Sequence, residues 1–177
     1  LGPPLLYLLI TLVFVWPLPL HLADSAIRGE SNDIWVHLWW MWQVRHSLLQ
    51  GHNPYWSDLV FHPNGAPLYL MGQDMVTALL SIPLQGVFGL VASYNLLTIA
   101  AMAFAAWTAY LLALDVSGSR PGALVAGAIY GFTPLQSSFL NLGQMEFVNA
   151  GFLPLAVLFL LRLRRAGPRW QPPLGGL

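Results

Sequence analysis

Two carboxylates stand where a carboxylate can do chemistry. Asp33 ends the polar run Ser31-Asn32-Asp33, and an apolar stretch from Ile34 to Leu49 follows it. Ser, Asn and Asp are good helix N-caps, and Gly51 suits the residue just past a helix end. The pattern predicts a helix over 34–50. Asp33 can serve that helix as a cap and nothing more. It can equally be a carboxylate held at a helix start, where the helix dipole favours negative charge. An ionised carboxylate there can take a proton from a hydroxyl or amine. Glu146 lies in Asn141-Leu142-Gly143-Gln144-Met145-Glu146, just before another apolar run. A carboxylate is costly in that position unless it is paired or working. Glu146 can pair with Asp33 or hold a divalent cation.

A haem or metal site built from the five histidines is a further reading, and their spacing argues against it. His37 and His46 are nine residues apart and fall on different faces of the expected helix, while His52 and His62 sit in turn sequences. No His-x-x-x-His occurs, and no cysteine is present for a thiolate site or a disulfide. No glycine-rich nucleotide loop and no basic, aromatic-interleaved surface occurs, so neither a nucleoside triphosphate nor a nucleic acid is implied.

The elements that must position these groups follow from composition. Only 8% of the 177 residues are charged and 56% are hydrophobic, whereas soluble domains carry about 25% charge. So few charges cannot cover the surface of a soluble domain this small. A disordered chain would be more polar still. The reading is an all-α, polytopic transmembrane protein forming one domain. Spans are expected at about 3–22, kinked or ended by Pro17 and Pro19, and at 91–114, 121–140 and 148–165, with a long loop over about 23–90. The stretch 75–90 is apolar but short and broken by Pro83, Gly86 and Gly89, so it reads as half-inserted, with a true span as the alternative. A cleaved signal peptide at the start would need a positive n-region, which is missing. Leu1 and the Pro/Gly-rich tail suggest that either end is a truncation.

Within the long loop the 34–50 helix carries Trp35, Trp39, Trp40 and Trp42. Indole suits the headgroup level of a bilayer, so this helix is expected to lie in the interface. Orientation follows from the arginines. Arg120, Arg162, Arg164, Arg165 and Arg169 flank the later spans, and the positive-inside rule makes those loops cytoplasmic. Asp24, Glu30, Asp33, Asp58, Asp74 and Glu146 then fall outside, with Arg28, Arg45 and all five histidines.

The order of features resembles the N-terminal part of the polytopic GT-C glycosyltransferases, the protein mannosyltransferase and aminoarabinose transferase-like enzymes. Asn32-Asp33 with the Trp-rich run, Leu48-Leu49-Gln50-Gly51-His52-Asn53-Pro54-Tyr55 and His62-Pro63-Asn64-Gly65 are similar to its first outer loop. Tyr94-Asn95-Leu96-Leu97, Gly127 through Pro134, and Asn141 through Leu155 extend the likeness to about residues 5–165. The resemblance implies Asp33 as catalytic base, Glu146 as a second acidic residue, and a polyprenyl-phosphate-linked sugar as donor. It offers Arg45, His52, Asn53, Asp74 and Gln144 as groups to hold that donor, without choosing among them. It implies a multi-pass protein of the bacterial inner (plasma) membrane with the long loop extracytoplasmic. GT-C enzymes have more spans and a soluble C-terminal domain, so this chain reads as a fragment or a short relative. The other reading is a non-catalytic small subunit of a larger membrane complex, whose partners would be other membrane subunits and lipid.

Overall fold

The structure is a computed structural model and describes residues 2–26, 33–70, 74–145 and 149–165. It is mostly helical. Helix α1, Pro3–Phe14, starts on prolines at its first positions, where a missing N–H costs nothing. It stops before Pro17, which can neither donate to the helix ladder nor clear the carbonyl four residues back. A 3-10 turn, Leu18–Leu20, follows. The expected span at 3–22 is therefore a 12-residue helix with a turn beyond it.

Helix α2, Asp33–Leu49, matches the expected loop helix within a residue at each end. A two-residue antiparallel ladder then joins β1, Trp56–Ser57, to β2, Ala66–Pro67, with Trp56 opposite Pro67. This small hairpin departs from the all-α expectation. Helix α3, Met75–Phe88, retains Pro83 inside it. Helix α4, Leu90–Ser117, ends on Gly118 in the left-handed conformation.

Helices α5, Arg120–Gly131, and α6, Pro134–Leu142, occupy the expected third span. The break falls where Pro134 pushes Thr133 into extended backbone, and the Thr133 hydroxyl caps the new helix by accepting from Gln136 N at 3.2 Å. Helix α7, Phe152–Arg165, carries three arginines in its last turn. Two stretches, Leu90–Ser117 and Arg120–Leu142, are long and apolar enough to cross a membrane. Pro3–Phe14 and Met75–Phe88 are apolar but shorter.

Helix α4 is the centre of the bundle. Tyr7 of α1 lies 6.3 Å from Tyr110 of α4, ring to ring, and its hydroxyl donates to Leu124 O of α5 at 3.0 Å. Phe14 meets Phe132 at 5.4 Å. So α1 runs parallel to α5, and both run antiparallel to α4. Phe104 packs on Phe152 at 5.2 Å, and Arg162 Nε donates to Asp115 Oδ1 at 2.9 Å. Those two contacts, near opposite ends of α7, make it parallel to α4.

Glycines set how closely these helices approach. A Cβ on Gly131 would come within 2.6 Å of Ala106 Cβ, one on Gly127 within 2.6 Å of Ala106 O, and one on Gly151 within 2.9 Å of Ala105 Cα. Small residues bring helix backbones together where apolar side chains gain nothing by leaving lipid.

The buried side chains form two groups. A smaller one joins Tyr7, Ala106, Tyr110 and Ala123. The larger one gathers around α2 and includes Ile34, Leu38, Trp40, Met41, Tyr94, Met102, Leu140 and Met145. Helix α2 is thus built into the bundle. Of its tryptophans, Trp35 is exposed and Trp39 and Trp42 are half-buried. Trp40 is 1% exposed and donates from its indole to Asp74 O at 3.3 Å. The expectation of Trp40 at the headgroup level is corrected: it is a core residue linking α2 to the start of α3.

Candidate functional site

The first turn of α2 meets the turn that follows α6. Asp33 is the first residue of α2, where the N–H groups of the opening turn still lack helical partners and favour a carboxylate. Gln144 Nε2 donates to Asp33 Oδ2 at 3.1 Å, across 111 residues of sequence. Asp33 makes further interactions as well.

Glycine makes this meeting feasible. Gly143 caps α6 with φ +74°, and the turn closes through Gly143 N to Leu140 O at 3.1 Å and Gln144 N to Phe139 O at 3.0 Å. A Cβ at Gly143 would lie 2.9 Å from both Ile34 N and Ile34 Cβ. No other residue could sit so tightly on the opening turn of α2 in that conformation. Helix α4 supports the turn from beneath. Tyr94 Oη donates to Gly143 O at 3.4 Å, and Thr98 Oγ1 donates to the buried Met145 Sδ at 3.2 Å. Asn95, also on α4, donates from Nδ2 to Leu22 O at 2.8 Å and Ser25 O at 2.7 Å. One face of α4 therefore fixes both the segment after α1 and the turn after α6.

Two grooves open beside this junction. The larger, about 440 Å³, has apolar walls from Phe14, Val15, Leu18 and Leu140, with His21 and Asn141 among its polar lining groups. The smaller, about 190 Å³, is bounded by Asp24, Ile34, Trp35 and Leu38 among others. Ser25 and Ala26 line both. His21 and Asn141 belong to this region although neither was singled out as a site residue from sequence. Their only signal was a polar side chain directly at the edge of an apolar run.

Asp74 has a different surrounding. It caps α3, accepting from Thr77 N at 3.1 Å and from the Thr77 hydroxyl. The Asn149 amide also donates to its carboxylate and to Thr77 Oγ1. These bonds tie the start of α3 to the segment before α7. They account for Asp74 as a structural carboxylate, whereas the resemblance offered it to a donor.

Arg45, His52 and Asn53 do not converge on Asp33. Arg45 is twelve residues further along α2, about 18 Å at 1.5 Å per residue. His52 follows the end of that helix, its N–H donating to Ser47 O at 2.8 Å. Asn53 Oδ1 accepts from Tyr55 N at 3.0 Å in a local turn. Hairpin β1–β2 docks there, with Gln43 Nε2 donating to Trp56 O at 3.1 Å. These three residues occupy the opposite end of α2 from Asp33. Glu146 lies outside the described residues. Among the described residues, no group of three or more His, Asp or Glu could hold a metal ion.

What the junction can do chemically is limited and specific. It presents one oriented carboxylate, an amide that fixes one of its oxygens, and amphipathic grooves close by. Comparison with protein-family models, with curated proteins and with solved structures gives no match.

Proposed function

We propose that this chain is a membrane glycosyltransferase of GT-C type, or the N-terminal half of one. It moves a sugar from a polyprenyl-phosphate donor to an extracytoplasmic acceptor. The observation that carries this reading is the Asp33–Gln144 bond, which joins the helix of the first loop to the turn of the second. Asp33 takes the proton of an acceptor hydroxyl as its oxygen attacks the anomeric carbon. The bond from that carbon to the phosphate oxygen breaks, and polyprenyl phosphate departs with the electron pair. Gln144 positions the carboxylate by holding one oxygen. A divalent cation at the leaving phosphate would neutralise its charge.

The reading takes four passes through the bacterial inner membrane, with α2 on the outer face. The alternating directions of α1, α4, α5 and α7 support it, as does the grouping of Asp115 with Arg162 and Arg165 at the far end. Asp33→Asn is expected to lower sugar transfer by about 10²-fold or more in reconstituted vesicles while the protein inserts normally. Undiminished transfer would overturn the assignment.

A second reading, a non-catalytic subunit of a membrane complex, is favoured by one observation: Arg45 and His52 lie far from Asp33 along α2. It predicts co-purifying membrane subunits and indifference to Asp33→Asn.

A further inference from the structure

Helix α3 is inside out by the standards of a water-soluble protein. Its inward residues are Thr77, Ala78, Ser81 and Gln85, and Ser81 is 0% exposed. Its outward residues are Val76, Leu79, Leu80, Val87 and Phe88, and Val87 is 75% exposed. No residue from Met75 to Phe88 is charged. A helix facing water shows the reverse arrangement, with its apolar stripe toward the core.

The inward polar groups are all bonded within the protein. Thr77 bonds Asp74, Ser81 Oγ donates to Ala78 O at 2.6 Å, and Gln85 Nε2 donates to Met41 O at 3.1 Å and to Ser81 Oγ at 2.7 Å. Such complete internal satisfaction is what a water-free surrounding demands. Only Gly89 separates α3 from α4, a helix long and apolar enough to span a membrane, and the two helices pack together. Helix α3 therefore lies against an element long and apolar enough to cross a membrane.

We infer that the outward face of α3 is covered by lipid acyl chains, with the helix embedded in one leaflet alongside α4. At about 21 Å, its 14 residues fall short of the roughly 30 Å hydrocarbon core, so α3 enters the membrane without crossing it. The embedding has a consequence for α2. Trp40 bonds Asp74 O and Gln85 bonds Met41 O, so α2 is fastened to α3 at two points. The depth of α3 then sets the depth of α2, and with it the height of Asp33 above the hydrocarbon. The inference does not depend on the catalytic reading.

The chain contains no cysteine, so a single introduced thiol reports one position. Nitroxides attached at Leu79→Cys and Leu80→Cys are compared with one at His62→Cys, in the full chain reconstituted in phosphatidylcholine–phosphatidylglycerol vesicles. Collisional accessibility to oxygen, which concentrates in hydrocarbon, is set against that to a water-soluble nickel chelate. Oxygen should exceed nickel at 79 and 80 and fall below it at 62. Nickel exceeding oxygen at 79 and 80 would overturn the inference by placing the face in water. Low collision with both reagents would overturn it by placing the face against protein. Both sites are exposed, so fold is preserved, and activity of Asp33 plays no part in the readout.

Discussion

At the scale of single residues, the candidate site turns on a carboxylate and the amide that holds it. If Gln144 fixes the Asp33 carboxylate for proton transfer, Gln144→Leu removes orientation without removing the base. Transfer kinetics should then show kcat falling about tenfold to a hundredfold with KM little changed. A fall in KM-dependent binding alone would mark Gln144 as a donor contact. Gly143→Ala probes the geometry beneath. The new Cβ would meet Ile34 N at 2.9 Å in a backbone conformation that already disfavours side chains. Thermal unfolding in detergent should register a loss of about 1–3 kcal/mol. Asp33 and Gln144 were each legible in the sequence, as polar groups at the edges of apolar runs. Their meeting was not, because it depends on Gly143 closing a turn against a helix more than a hundred residues earlier. Arg45 and His52 show the reverse relation between chain and space. They are near Asp33 in the chain, but a straight helix carries Arg45 about 18 Å away and leaves His52 past its far end.

At the scale of elements, hydropathy located the helices and proline chemistry located their breaks. Pro17 ends the first apolar run as its chemistry implies, and Pro134 interrupts a run that a hydropathy reading takes as continuous. The placement of Trp40 was not legible, because α2 is apolar on several faces and periodicity alone gives no preferred inward side. What decided it was the position of α3, to which Trp40 bonds. The spacing of Gly127 and Gly131, four residues apart, marks the α4–α5 contact. Gly131→Leu should separate these helices, since even a Cβ there would lie 2.6 Å from Ala106. Overpacking of this kind costs about 1–3 kcal/mol, or the folded state altogether. Val125→Leu, on the exposed face of the same helix, should leave the melting temperature and gel-filtration profile unchanged. Equal damage from both substitutions would refute a specific role for the glycine.

At the scale of the whole molecule, only fourteen of 177 residues are charged, and three of them meet at one end of the bundle. Asp115 is shared by Arg162 and Arg165 where α4 and α7 finish side by side. The two arginines are exposed and Asp115 is half-buried, and ion pairs at such a surface contribute little to stability. In the proposed four-pass arrangement their larger effect is on orientation, because arginines beside spanning segments are retained on the cytoplasmic side. The acid among them does little to offset that bias, since acids weigh lightly in orientation. The four-pass arrangement therefore makes a prediction about sidedness that is independent of catalysis. Val116, in the last turn of α4 just before α5, and Asn141, near the end of α6, are both exposed. Val116→Cys and Asn141→Cys, made singly in this cysteine-free chain, can be treated in intact cells with a membrane-impermeant maleimide. Position 141 should label and position 116 should label only after the membrane is opened. Labelling of both in intact cells would mean that the α5–α6 stretch does not cross. Labelling of 116 alone would mean that it crosses in the opposite sense, and Asp33 would then face the cytoplasm, away from any extracytoplasmic acceptor.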